Sequence, residues 1–196
     1  MRSIIFASNN ENKVEEIKKI LKGRYNVISL KDAGINIDIP EPYDTLEENA
    51  FEKSRTIYAL SGKDCFSEDT GLEVMALNNE PGVKSARYAA NDPVFKSNTA
   101  KLLHALIPIE NRQAQFRTVI SLMLQGTEYQ FEGICKGFIS RFEKGILGFG
   151  YDPLFIPEGS DKTFGEMKMD EKNKFSHRKK ATAKLAAFLN DHYGKD

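Results

Sequence analysis

The chain opens on a compact apolar run, Ser3-Ile4-Ile5-Phe6-Ala7, after which Val14, Ile17, Ile20 and Leu21 recur at helical spacing until Gly23. That pattern predicts a strand, a polar loop and a helix. Residues 26–30 read as a second strand and 35–39 as a third that Pro40 and Pro42 break. Thr45-Leu46-Glu47-Glu48 is a capping box, and Leu46, Ala50, Ser54 and Ile57 continue a helix that Gly62 closes. Cys65-Phe66 leads into Ser67-Glu68-Asp69-Thr70-Gly71, where the glycine predicts a strand end with a sharp turn. A strand over 72–77 follows, then a loop, then a helix that Asp92-Pro93 starts and Pro108 ends, carrying Phe95, Leu102, Leu103 and Leu106. The run 116–124, the turn Gln125-Gly126-Thr127 and the run 129–140 predict strands that reverse on each other, with Gly133 and Gly137 as bulges. A closing helix puts Ala181, Leu185, Phe188 and Leu189 on one face.

Strand and helix patterns thus alternate without repeat, linker or low-complexity tract, which predicts a mixed α/β body. At 196 residues the chain fits one domain over 1–196, with room for two lobes. Lys plus Arg and Asp plus Glu both count 28, so the formal charge is zero and no global basic field holds a nucleic-acid polymer. Cys65 and Cys135 stand far apart in apolar surroundings and read as buried free thiols of a reducing compartment. No run reaches a membrane span and no leader pattern opens the chain, so the expected location is the cytoplasm.

Four stretches could carry chemistry. Ser8-Asn9-Asn10-Glu11-Asn12-Lys13 lies between a strand and a helix start, where backbone N–H groups and the positive helix end meet an anion; it reads equally as a plain cap with Asn12 capping. Glu68 and Asp69 are hard oxygen donors that suit Mg²⁺, and either could take a proton from water; solvated acids on a surface turn are the ordinary alternative. Gly145 to Pro153 lacks the spacing of a dinucleotide fingerprint. Its Phe149 and Tyr151, held between glycines, suit a wall for a planar base or a turn with core aromatics. The basic run 172–180 stands against a helix N-terminus, a poor place for cations unless an anion or polar ligand relieves it. Glu41, in a Pro-stiffened loop, and Lys53, two turns into its helix, read individually as surface charges.

Taken in order, Ser-Asn-Asn-x-x-Lys, an acid ahead of Thr-x-x-Glu-Asn-Ala, Glu-Asp-Thr-Gly-Leu, Pro-Gly-x-x-Ser-Ala-Arg-Tyr, Gly-Phe-Gly-Tyr-Asp-Pro and Ser-His-Arg resemble the inosine triphosphate pyrophosphatase family from Ser8 to about Ala181. The resemblance implies a mixed, elongated central sheet with flanking helices forming two lobes around a substrate cleft. It implies hydrolysis of ITP, dITP or XTP at the α-phosphorus to the monophosphate and pyrophosphate, with Mg²⁺ as cofactor, in a homodimer. Ser8, Asn9, Asn10, Lys13 and Lys53 would hold the triphosphate, and Thr70 would contact it. Glu41 and Asp69 would hold the metal, with Glu68 a further candidate ligand, and Asp69 would activate the attacking water. Phe149, Gly150, Tyr151 and Asp152 would line the base, and Lys172, His177 and Arg178 would read its edge. Asn9 replaces a common glycine and Glu68 a common aspartate. The alternatives are a pyrophosphatase for other modified or pyrimidine nucleotides and a non-catalytic nucleotide- or RNA-binding module.

Overall fold

The computed structural model describes residues 2–193. In chain order the elements are β1 (Arg2–Phe6), α1 (Glu11–Leu21), β2 (Tyr25–Ser29), α2 (Leu46–Ser61), β3 (Cys65–Val74), β4 (Pro81–Gly82), α3 (Asn98–Ala105), β5 (Gln113–Leu124), β6 (Thr127–Ile139), β7 (Phe155–Pro157), α4 (Met169–Lys172) and α5 (His177–Tyr193). The strands form one sheet in the order β2-β1-β3-β5-β6-β7, with β4 paired to β3. It is mixed: β1 runs parallel to β2 and to β3, whereas β3 with β4 and β6 with β7 are antiparallel. Gln125 and Gly126 both take positive φ, 50° and 81°, the two-residue turn that suits a twisted hairpin and joins β5 to β6.

The chain divides into two compact units, one of Met1–Asp69, Thr118–Gly133 and Arg178–Asp196, the other of Thr70–Arg117 and Ile134–His177. The first holds two cores. Ile4, Phe6, Ile17, Leu21, Phe66, Ile120 and Leu185 bury together, with Phe6 and Phe66 stacked at 4.8 Å. Ile5, Leu30, Ile57, Cys65 and Met123 form the other. The apolar stripe expected on α1 is therefore its buried face, although Ile20 is only half-buried. The second unit packs Leu72, Leu102, Leu106, Phe116, Phe155 and Phe164. Both cysteines are buried free thiols.

Local rules account for the helix ends. Thr45 Oγ1 accepts from Glu48 N at 3.2 Å, and Gly62 closes α2 in the left-handed conformation. Helix α1 begins earlier than expected, because the cap is Asn10, whose Oδ1 takes Lys13 N at 3.2 Å. Helix α3 begins later, at a Ser97 cap; Asp92 instead closes a turn by accepting from Val94 N and Phe95 N. Residues 35–39 form no strand, and only Val74 and what precedes it is extended in the stretch expected to run to 77.

The largest correction concerns Glu68-Asp69-Thr70-Gly71. No turn occurs there, and β3 runs straight through it. Gly71 is required for a different reason, since a Cβ on it would stand 2.7 Å from the Gly82 carbonyl oxygen on β4. Gly137 likewise admits β7, because a Cβ there would collide with the Ile156 carbonyl. No helix among the described residues is long and apolar enough to cross a membrane.

Candidate active site

The extended backbone of β3 sets the chemistry of the first unit, because neighbouring side chains on a strand point to opposite faces. One face, Cys65, Ser67 and Asp69, meets α2: the Cys65 thiol donates to Ser54 O at 3.2 Å, the Ser67 hydroxyl to Ala50 O, and Asp69 Oδ1 accepts from Lys53 Nζ at 3.1 Å. The same Lys53 ammonium donates to Glu41 Oε1 at 2.6 Å. Two carboxylates distant in sequence thus converge on one cationic centre. Burial works against charge on Lys53, but Asp69 and Glu41 outweigh it and its pKa is raised. Burial raises the Asp69 carboxyl above its ordinary value, against the pull of Lys53 and Lys13.

The other face carries Phe66 into the core and Glu68 into a cluster of charges. Arg178 donates Nε to Glu68 Oε2 at 2.8 Å and Nη2 to Oε1 at 2.9 Å, while its Nη1 donates to Glu16 Oε2. Lys13 Nζ lies 3.1 Å from Glu68 Oε1. Burial alone would raise the Glu68 carboxyl, but Arg178 and Lys13 hold it well below the usual carboxylate range. The cations at the start of α5 thus find part of their counter-charge in the protein itself: Arg178, in a first turn without acids, is met by Glu68 and Glu16. In the loop before α1, Asn10 N donates to Ser8 Oγ at 3.2 Å and Asn9 Nδ2 to Ile37 O at 2.9 Å, which leaves Asn9 and Asn10 exposed and Ser8 and Lys13 half-buried.

In the second unit the glycine-rich loop folds around a buried carboxylate. Asp152 Oδ2 accepts from Lys172 Nζ at 2.7 Å and from Phe149 N at 2.9 Å. A Cβ on Gly148 would collide with that carboxylate, and φ of +75° there disfavours any other residue. The Lys172 ammonium also lies 5.3 Å from the Phe149 ring centre and 5.4 Å from that of Phe164. Phe149 is half-buried and Gly150 exposed, whereas Tyr151 is core, its hydroxyl donating to Ser85 O at 3.0 Å. His177 is buried and stacks on Phe116 at 4.6 Å. Thr70 is half-buried at the head of this unit.

The Ham1 family profile matches residues 4–188. The chain belongs to the Ham1 family. A dITP/XTP pyrophosphatase of Flavobacterium johnsoniae is 49% identical over 95% of this chain and 97% of its own length. One from Porphyromonas gingivalis is 46% identical over 96% and 98%. The structure of the Staphylococcus aureus Ham1 protein superposes with a TM-score of 0.86 at 38% identity, covering 97% of this chain and all of its own. These similarities bear out the resemblance seen in the motifs and the mixed α/β fold.

Within this Ham1 chain the residues expected at the site fall into two groups. Ser8, Asn9, Asn10, Lys13, Glu41, Lys53, Glu68, Asp69 and Arg178 belong to the first unit; Thr70, Phe149, Gly150, Tyr151, Asp152, Lys172 and His177 belong to the second. Arg178, expected beside the base, is instead clamped on Glu68 and Glu16, and Lys172 is paired with Asp152. Glu16 escaped notice in the sequence. Its one signal was its place three residues after Lys13 on the same helix side, an acid next to the buried Ile17. Ser85 stands in the Pro-Gly-x-x-Ser-Ala-Arg-Tyr motif, where sequence alone assigns it no role of its own: its hydroxyl takes Leu72 N at 2.8 Å and its carbonyl takes the Tyr151 hydroxyl.

Proposed function

We propose that this chain hydrolyses non-canonical purine nucleoside triphosphates, ITP, dITP and XTP, at the α-phosphorus, releasing the nucleoside monophosphate and pyrophosphate. The observation that carries the reading is the convergence of Glu41 and Asp69 on one cation, with Lys53 Nζ at 2.6 and 3.1 Å from their oxygens. Among the described residues no three His, Cys, Asp or Glu side chains gather as a metal cage. Two carboxylates suffice for Mg²⁺, which keeps several waters and completes its shell with substrate phosphates, so the donor set fits that ion. Bound there, Mg²⁺ would neutralise charge developing on the phosphate oxygens.

The chain's own side chains divide the remaining work. Asp69 takes the proton of a water attacking in line with the leaving pyrophosphate. Lys13 and Lys53, with Ser8, Asn9 and Asn10, hold the phosphates, Lys53 exchanging a carboxylate for an anionic oxygen; Thr70 adds a hydroxyl. Phe149 offers its half-exposed ring to the base, in a loop that Gly150, Tyr151 and Asp152 shape. Lys172 and His177 supply donors that favour a 6-oxo purine over adenine, whose amino group would face a donor, while Arg178 stays on Glu68 and Glu16. The two units are read as parts of one nucleotide pyrophosphatase domain, acting in the cytoplasm as a homodimer, which light scattering of the purified protein tests. The reaction is tested by incubating the protein and Mg²⁺ with ITP, XTP, dITP, ATP, GTP and UTP and following pyrophosphate against orthophosphate. Pyrophosphate from the first three is expected; orthophosphate as sole product, or a preference for UTP, defeats the reading.

A further inference from the structure

Glu68 and Asp69 are adjacent in sequence and opposite in direction. Asp69 shares the α2 face of β3 with Cys65 and Ser67, and Glu68 shares the other face with Phe66, toward α1 and α5. The Glu68 side chain is 0% exposed. Its Oε2 accepts Arg178 Nε, and its Oε1 accepts both Arg178 Nη2 and Lys13 Nζ. A metal ion reaching this carboxylate would have to displace a bidentate guanidinium and strand it in the interior with Glu16, a costly exchange.

From this geometry we infer that Glu68 is a positioning residue for Lys13 and not a metal ligand: the Arg178 clamp fixes the carboxylate, and the carboxylate fixes the Lys13 ammonium beside the phosphate loop. The inference rests on the proposed roles of Lys13 toward phosphate and of Glu41 and Asp69 toward Mg²⁺. Lysine is a compact charge on a flexible four-carbon stem. A side chain only 17% exposed, with its end held at 3.1 Å from a clamped oxygen, is already ordered when the nucleotide arrives, so binding does not have to order it. Glu16 completes the arrangement by taking the remaining edge of the guanidinium.

The test compares Glu68→Gln, Lys13→Met, the double variant and Asp69→Asn in the full chain. Calorimetry measures binding of inorganic tripolyphosphate, and electron paramagnetic resonance measures binding of Mn²⁺. Lys13→Met is expected to weaken tripolyphosphate about tenfold, Glu68→Gln nearly as much, and the double variant no more than Lys13→Met alone, the signature of coupled residues. Mn²⁺ affinity should stay within about twofold of the wild type in Glu68→Gln and drop at least about tenfold in Asp69→Asn. In turnover of ITP, Glu68→Gln should raise KM with kcat little changed. Loss of Mn²⁺ affinity in Glu68→Gln, or effects of Glu68→Gln and Lys13→Met that multiply, would overturn the inference while leaving the parent reading intact. Tripolyphosphate binding untouched by Lys13→Met, or Mn²⁺ binding untouched by Asp69→Asn, sinks the parent reading and this inference with it. Should the glutamine variant not fold, Glu68→Asp carries the same comparison: it keeps the charge that Arg178 needs and loses the reach to Lys13.

Discussion

Lys53 donates to Glu41 across 2.6 Å, tying the loop before α2 to the middle of that helix, and the same nitrogen meets Asp69. The ammonium holds together two carboxylates that would otherwise repel. Lys53→Met should therefore cost about 2–4 kcal/mol of stability, as when one partner of a buried ion pair is removed. Millimolar Mg²⁺ should return part of it, because an ion that binds only the folded form stabilises that form. Thermal unfolding with and without Mg²⁺ checks this; a variant whose unfolding temperature Mg²⁺ leaves unchanged would show that Glu41 and Asp69 do not share a metal.

Asp69→Asn keeps the hydrogen bond to Lys53 within reach while removing the carboxylate proposed to take the proton. Turnover of ITP should fall by about 10³ or more with the fold retained. Pyrophosphate release and circular dichroism together decide it. Activity near that of the wild type would remove Asp69 as the base.

In the second unit, Lys172→Met leaves Asp152 buried with its charge uncompensated by an ammonium that now stands 2.7 Å away. A loss of about 3 kcal/mol in urea unfolding is expected. Because Asp152 also anchors Phe149 N, the variant's ratio of kcat/KM for ITP over ATP should move more than its pyrophosphate chemistry. A constant ratio would separate Lys172 from base choice.

Alkali should weaken the fold through groups that stay protonated inside it. Burial pushes the Cys65 thiol up to about 12, and burial with the neighbouring Asp64 pushes the Tyr193 phenol up to about 12. In the unfolded chain these groups ionise near 9.0 and 10.0. Between those values and 12 the folded state binds more protons than the unfolded one, so stability falls as pH rises from about 9. Urea midpoints across that range test the slope, and a thiol reagent at pH about 8 should leave Cys65 unmodified until the chain is unfolded.

Gly71→Ala tests whether that glycine serves close approach. Its Cβ would press on the Gly82 backbone at 2.7 to 2.9 Å, and backbone cannot rotate aside as a side chain can. A destabilisation of about 2–4 kcal/mol is expected, measured as a lower urea midpoint. No change would mean that β4 yields.

Much of this was legible beforehand where local chemistry dominates. The capping box at Thr45, the glycine that ends α2, the apolar stripes of α1 and α5 and the hairpin at Gln125-Gly126 follow from rules that reach only a few residues. The family motifs brought out Glu41, Lys53 and Asp69, which the structure places on one nitrogen. What escaped depended on partners distant in sequence. Gly71 reads as a turn until β4 is seen against it, because close approach and positive φ call for the same residue. Arg178 reads as a ligand contact until Glu68 and Glu16 are found around it, 110 and 162 residues away.

The division of labour between Glu68 and Asp69 is only as secure as the alignment of β3 on its neighbour. β1 holds its start through two residue pairs, Ile5 with Cys65 and Phe6 with Phe66, while β4 and β5 flank it further on. A slip of one residue would exchange inward and outward roles wholesale, swinging Asp69 toward Arg178 and presenting Glu68 to Lys53. Inserting a single residue between Phe66 and Ser67, just beyond the stacked Phe6 and Phe66 rings that lock the alignment, should thus inactivate the enzyme without deleting any group it uses.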